Sequence, residues 1–94
     1  MRRIIALPAF GRSVKKLTSI EKSELVESLD QFKVFVYRGV TPVGLGFKKI
    51  GEGIYEFRVG LRLRVIVLAE GGDYYLALAG NHDDVKRYLR RYRS

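Results

Sequence analysis

The apolar residues of this 94-residue chain change their spacing once, from the period of a helix to the period of a β-strand. In the first part they recur three or four residues apart, and one such stripe consists of Leu25, Leu29, Phe32 and Val36. Past the middle of the chain, every second position from 55 to 67 is apolar. A helical part followed by a strand part predicts an α+β domain.

Turn and capping signals divide the first part into a strand and two helices. Residues 3–7 read as a short strand, and a first helix follows Pro8. The pattern Thr18-Ser19-Ile20-Glu21 is a capping box, which predicts the start of a second helix. Gly39 is a typical helix end. These elements form a helical hairpin after one strand.

The second part divides into three strands and a last helix. The strands cover residues 54–59, 61–68 and 74–79, and Asp83 and Asp84 provide the negative charge that favours a helix N-terminus. We therefore expect one domain over residues 1–94. In it, the N-terminal strand and helical hairpin pack on an antiparallel sheet of about four strands, followed by a C-terminal helix.

The charge of the chain indicates a polyanionic partner. Eighteen Lys and Arg residues oppose ten Asp and Glu residues, giving a formal charge of +8 and a pI near 10.1. Nucleic acid, an anionic membrane or an acidic protein would each fit this charge. No apolar run reaches the roughly 20 residues of a membrane helix, and the apolar start ends at Pro8. We expect a cytoplasmic protein without membrane association.

Composition also restricts the chemistry. There is no cysteine and only one histidine, which excludes disulfides and cysteine nucleophiles and argues against a zinc site. The short glycine segments around residues 44–46 and 51–53 read as turns, not as nucleotide-binding motifs. We expect no metal and no small-molecule cofactor.

Side-chain alternation predicts a charged and partly open face on the sheet, opposite the helices. If Tyr55, Phe57 and Val59 face the helices, then Glu56 and Arg58 face the opposite side. The same argument brings two arginines of the next strand to that face, lysines to its rim, and two polar residues of the last strand–helix junction to its edge. These six residues are Arg62, Arg64, Lys48, Lys49, Asn81 and His82.

This combination suits phosphodiester chemistry. Arginine offers a planar fork that matches phosphate oxygens, and His82 has the side chain that most readily transfers a proton near neutral pH. Tyr88 has a hydroxyl that can reach the site and a ring that can stack on a base. Ordinary structural roles compete: a cross-strand ion pair for Glu56, a helix cap for His82 and core packing for Tyr88.

Three segments resemble the RelE/ParE toxin superfamily. They are Phe47-Lys48-Lys49-Ile50, the run from Gly53 to Val67, and Gly80-Asn81-His82-Asp83-Asp84-Val85-Lys86-Arg87-Tyr88-Leu89. The resemblance implies a toxin that an adjacent antitoxin holds inactive. It also implies a ribosome-dependent endoribonuclease that cuts mRNA without metal, through attack of the 2′-hydroxyl on the adjacent phosphate. The basic strand residues of the family correspond to Arg58 and Arg64, its catalytic position after the last strand to His82, and a later tyrosine to Tyr88.

Our first hypothesis is therefore an mRNA endonuclease with a catalytic and an RNA-binding set. The catalytic set has Glu56 as general base, His82 as general acid, Arg58 and Arg64 for phosphorane charge, and Tyr88. The RNA-binding set is Lys48, Lys49, Arg62, Asn81 and Arg87. Arg62 and Arg64 remain alternatives for the catalytic arginine. The competing hypotheses are a ParE-like, non-enzymatic inhibitor of DNA gyrase and a repurposed nucleic-acid-binding module.

Overall fold

The computed structural model describes residues 2–93 and contains one five-stranded sheet with helices on both faces. The elements are β1 (Ile4–Ala6), α1 (Pro8–Lys15), α2 (Ser19–Arg38), β2 (Lys48–Gly51), β3 (Ile54–Val59), β4 (Leu63–Glu70), β5 (Asp73–Gly80) and α3 (His82–Arg93). The strand order is β1-β5-β4-β3-β2; β1 runs parallel to β5, and all other neighbours are antiparallel. The α+β prediction is confirmed. The sheet has one strand more than expected, because the lysine segment expected at the rim is itself an edge strand, β2.

The α2 helix has the ends that its sequence predicts. The Thr18 hydroxyl accepts a hydrogen bond from the Glu21 N–H (3.1 Å), and the Glu21 carboxylate accepts one from the Thr18 N–H (2.9 Å). The helix ends at Gly39, whose φ of 69° lies in the left-handed region and whose N–H donates to the Phe35 carbonyl (3.1 Å). Both caps satisfy backbone groups that the helix cannot pair itself. The capping-box prediction is confirmed.

The larger core lies between the helical hairpin and one face of the sheet. Its centre is the fully buried Phe32 of α2, whose ring lies 4.8 Å from Phe57 and 5.7 Å from Phe47, centroid to centroid. The strand residues that contribute alternate along β3 and β4, as the parity argument requires. This packing determines which face of the sheet the hairpin covers. The opposite face is not covered by the hairpin.

The second core lies on the opposite face, beneath α3. Ile54, Ile66 and Ala77 from three strands pack with Val85 of α3, and Leu89 borders them. α3 thus covers the apolar part of this face. The sequence predicted a partly open face and did not predict that α3 packs on it. The part of the face nearer the β3–β4 turn carries charged side chains instead.

The β3–β4 turn differs from the prediction. Val59 pairs with Leu63, so Gly60, Leu61 and Arg62 form the turn and lie outside both strands. Leu61 is fully exposed, although its position in the apolar alternation suggested a strand residue. None of the helices in residues 2–93 is long and apolar enough to cross a membrane.

Candidate active site

Strand register brings four charged residues to one region of the sheet. Lys48 of β2 is the direct partner of Glu56 on β3, and Arg58 is the direct partner of Arg64 on β4. Residues 56, 58 and 64 share the face opposite the helical hairpin, as predicted from side-chain alternation. We call these four residues the Glu56 cluster.

The carboxylate lies at the bottom of this cluster. The Glu56 side chain is only 7% exposed, and its Oε2 lies 3.7 Å from Lys48 Nζ and 3.5 Å from Arg64 Nε. The lysine and arginine side chains are 64% and 30% exposed. The face was expected to be open at this point, but neighbouring side chains bury Glu56 and leave the cations nearer to solvent.

Arg58 is held by a different neighbour. The main-chain N–H of Arg58 donates to the Leu45 carbonyl (2.8 Å), so the segment before β2 runs alongside the end of β3. Gly46 has φ +62°, and a Cβ there would lie 3.1–3.2 Å from Cγ, Cδ and Nε of Arg58. Arg58 is exposed, also borders the groove between α2 and the segment around Val43, and makes no ion pair within the described residues.

The β5–α3 junction positions His82. Gly80 is the strand partner of Arg64, and Asn81 caps α3: its side-chain oxygen accepts from the Asp84 N–H (2.9 Å), while the Asp84 carboxylate accepts from the Asn81 N–H (2.9 Å). His82 is exposed and is the first residue of α3. Its main chain is therefore two residues from the strand partner of Arg64.

Tyr88 takes part in core packing, which is one of the two roles predicted for it. It is half-buried at the border of the second core, and its ring stacks on Tyr92 at 5.9 Å. Burial raises the pKa of the Tyr88 hydroxyl, and the nearby Tyr92 adds to the rise. The phenol keeps its proton at neutral pH and can act there as a hydrogen-bond donor. Among the described residues no hydrogen bond joins Tyr88 or His82 to the Glu56 cluster.

Four of the predicted RNA-binding residues lie outside the cluster. Lys49 is the partner of Tyr55, which places it on the hairpin side of the sheet, and it pairs with Glu52. Arg62 was expected on the strand beside Arg64, which is wrong: it lies in the turn and lines a cavity between the helical hairpin and the β5–α3 junction, together with Asn81. The remaining two are the cap residue Asn81 and Arg87, which is exposed and paired with Asp84.

Two residues that the sequence analysis did not assign to the site help to build it. Asp84 completes the α3 cap, and the Asn-x-x-Asp spacing from residue 81 was a readable signal for it. Gly46 contacts Arg58 only because the fold brings the two segments together, and nothing in its local sequence distinguished it from a turn glycine.

No family model and no curated protein matches the sequence. Solved structures with the same fold do match. A copper-bound mutant toxin from Helicobacter pylori superimposes with a TM-score of 0.71 at 13% identity, over 90% of this chain and 99% of that one. RelE in a complex with its antitoxin RelB, from Methanococcus jannaschii, gives a TM-score of 0.69 at 14% identity, over 89% and 96% of the two chains. The chain has the RelE-type toxin fold. A YoeB–YefM toxin–antitoxin complex from Staphylococcus aureus gives 0.61 at 15% identity, over 87% and 98%.

The RelE-type fold here presents a cationic surface beside the helix start that carries His82. Three cations and one carboxylate give the Glu56 cluster a net charge of about +2 at neutral pH. Within the described residues no three His, Cys, Asp or Glu side chains are grouped so that they could hold a metal ion. The arrangement is suited to binding a phosphodiester and stabilising added negative charge on it.

Proposed function

We propose that this protein is the toxin of a type II toxin–antitoxin pair and acts as a metal-free, ribosome-dependent mRNA endoribonuclease. The observation that carries the proposal is the Glu56 cluster, placed beside the first turn of α3 in a RelE-type fold. The RelE and YoeB structures are complexes with antitoxins, which supports an antitoxin as the partner of this chain. Antitoxin and translated mRNA would both be met in the cytoplasm.

The proposed reaction needs charge stabilisation and two proton transfers. The 2′-oxygen of the RNA attacks the adjacent phosphorus and releases its proton to solvent water, and the bond from phosphorus to the 5′-oxygen breaks as that oxygen takes up a proton. The products are a 2′,3′-cyclic phosphate and a 5′-hydroxyl. Arg58 and Arg64 stabilise the negative charge of the phosphorane. His82 is the donor of the proton that the departing 5′-oxygen takes up, and its exposure at the start of α3 leaves it accessible to RNA.

The remaining predicted residues have supporting roles in this proposal. Lys48 and Arg87 lie exposed on β2 and α3 and attract the RNA backbone. Tyr88, protonated at neutral pH, donates a hydrogen bond to the substrate or stacks on a base. Asn81 holds the helix start that carries His82, and Lys49 and Arg62 contribute to long-range attraction of the polyanion.

The test is a His82→Ala variant, with Asp83→Ala as the matched control on the next exposed position of α3. Loss of a general acid lowers the cleavage rate about 10²–10⁴-fold. We expect induced His82→Ala protein not to arrest growth, and Asp83→Ala protein to arrest it as the wild type does. A fully toxic His82→Ala protein would remove His82 from the mechanism.

Primer extension on mRNA after induction tests the activity itself. New 5′ ends inside codons support the endoribonuclease. DNA breaks and an SOS response with intact mRNA would instead support the gyrase inhibitor, and the absence of any toxicity would favour a repurposed nucleic-acid-binding module.

A further inference from the structure

We infer that Glu56 is a positioning residue, not the general base, and that together with Gly46 it holds open an anion cleft between Arg58 and Arg64. The inference rests on the proposed function for its substrate, the phosphodiester of RNA, and it goes beyond that proposal in assigning a binding site and the residues that shape it.

Accessibility argues against Glu56 as the base. A general base must come within about 2.6–3.2 Å of the proton it removes. The Glu56 side chain is 7% exposed, whereas Lys48 and Arg64, which it contacts, are 64% and 30% exposed. A ribose hydroxyl that approaches from solvent meets the cations before it meets the carboxylate.

The contact with Arg64 orients that side chain. The Glu56 carboxylate lies 3.5 Å from Nε of Arg64, the nitrogen nearest the chain. The terminal nitrogens of the guanidinium are the ones that form a fork with phosphate oxygens. A carboxylate that engages Nε therefore fixes the direction of the fork without occupying its end.

The two arginines need such support because they lie directly across from each other on neighbouring strands. Arg58 and Arg64 are direct partners on adjacent antiparallel strands, where like charges are destabilising. Arg64 is drawn to Glu56, which lies two residues from Arg58 along β3 on the same face, and the aliphatic part and Nε of Arg58 lie against Gly46. Each guanidinium thus has its own neighbouring group. A phosphate oxygen between the two guanidiniums would bridge them.

Gly46 borders the cleft so closely that a larger residue there would push the Arg58 side chain away. Its φ of +62° is one that side chains rarely adopt, and a Cβ would lie 3.1 Å from Cγ of Arg58. Gly44 provides a matched control, because its φ is also positive (+89°) but nothing lies within 4 Å of a Cβ there. An alanine at either position strains the backbone, but only the one at 46 displaces Arg58.

The first experiment uses inorganic phosphate as the probe and follows the Nε–Hε NMR signals of Arg58 and Arg64. In the wild-type protein we expect both signals to shift along one binding curve. Glu56→Ala raises the net charge of the cluster from about +2 to about +3, so attraction by charge alone predicts tighter binding. The positioning role predicts the opposite sign, an affinity at least threefold weaker with the Arg64 signal no longer responding.

The same titration tests Gly46. We expect Gly46→Ala to weaken phosphate binding and to move the Arg58 signal, and Gly44→Ala to leave the binding curve unchanged. Equal or tighter phosphate binding by Glu56→Ala, or identical curves for Gly46→Ala and Gly44→Ala, would overturn the inference. Thermal melts of each variant show whether the sheet is intact.

The second experiment is the pH–rate profile of mRNA cleavage on programmed ribosomes. Glutamine keeps the shape of the side chain and an acceptor oxygen towards Arg64 but cannot take up a proton as a carboxylate does. We expect Glu56→Gln to retain kcat within about tenfold and to keep the wild-type profile, and Glu56→Ala to lose more. A loss of about 10²–10⁴-fold in Glu56→Gln together with loss of the acidic limb would identify Glu56 as the base and overturn the inference. If wild-type protein binds phosphate as described but cleaves no mRNA, the proposed function fails and the cleft stands.

Discussion

Gly80 connects β5 to α3, and its replacement by alanine tests how closely the helix start is packed onto the strand that pairs with Arg64. A Cβ on Gly80 would lie 2.6 Å from Cβ of Asp84 and 2.8 Å from its Oδ2. The same carboxylate accepts the Asn81 N–H at 2.9 Å. The φ of Gly80 is negative, so the substitution costs nothing in backbone conformation. Its whole effect must come from displacing Asp84 and the cap.

The size of this effect follows from two contributions. Losing an N-cap costs about 1 kcal/mol, and forcing an extra carbon into a packed position costs about 1–3 kcal/mol. We therefore expect the free energy of unfolding to fall by about 2–4 kcal/mol and, for a domain of this length, Tm to fall by about 8 °C or more. Urea unfolding and a thermal melt, both followed by circular dichroism, measure these quantities.

Three further variants separate the clash from the cap. Gly11→Ala, in the middle of α1 with nothing within 4 Å of the new carbon, should stabilise the protein by up to about 1 kcal/mol. Asp84→Ala removes the cap but keeps the clashing Cβ, so adding Gly80→Ala to this variant should still lower the free energy of unfolding. Asp84→Gly removes the clashing Cβ as well, so adding Gly80→Ala to that variant should lower the free energy of unfolding far less. If Gly80→Ala behaves like Gly11→Ala, or costs as much on Asp84→Gly as on the wild type, the packing argument for this junction is refuted.

Three other perturbations have expected outcomes. Hydrogen bonds from the side chain and the main chain of Arg3 lower the pKa of Asp73, so its contribution to stability is present above the ordinary carboxyl pKa and is lost as the pH falls through the lowered value; Asp73→Asn should flatten the acid part of the stability–pH curve. Thr18→Ala removes one half of the α2 capping box and should cost about 1 kcal/mol in urea unfolding, while Ser19→Ala, on the adjacent exposed position, should change stability by less than about 0.5 kcal/mol. The pKa of Tyr88 is raised, so its protonated form stabilises the folded state below the ordinary tyrosine pKa of about 10 and this contribution is lost as the pH rises through the raised value. Tyr88→Phe should therefore flatten the alkaline part of the same curve and remove one late-titrating phenol from the ultraviolet titration.

The sequence was sufficient to predict the parts of the fold that local signals determine. The α2 helix has a capping box, an apolar stripe and a terminal glycine, all within its 20 residues and the one residue on either side of them. Side-chain parity placed Glu56, Arg58 and Arg64 on one face because alternation along a strand does not depend on the rest of the fold. The site could be predicted to this extent.

What the sequence could not provide depends on pairing between distant segments. β2 has four residues without a clear apolar alternation, and its pairing with β3 makes it a strand. The apolar alternation continued through Leu61, so the strand seemed to include Arg62; the Val59–Leu63 pairing ends it at Leu63 instead. Whether a turn takes three residues or one is set by strand register, which composition does not encode.

One extra residue in β5 shows how strongly the site depends on such register. Val67 pairs with Leu76 and its neighbour Ile66 pairs with Leu78, so Ala77 is a β-bulge without a partner on β4. Leu76 and Ala79 both reach the larger core, which strict alternation would not allow, and Gly80 is left on the face of its partner Arg64. Without the bulge, Gly80 would face the hairpin, and α3 would leave the sheet on the side away from the Glu56 cluster. The run Tyr74-Tyr75-Leu76-Ala77-Leu78-Ala79 is apolar throughout, so neither register is marked in it. The bulge is selected by the packing of two cores, one on each face, and it is this choice that brings the start of α3, with His82, to the same side of the sheet as Arg58 and Arg64.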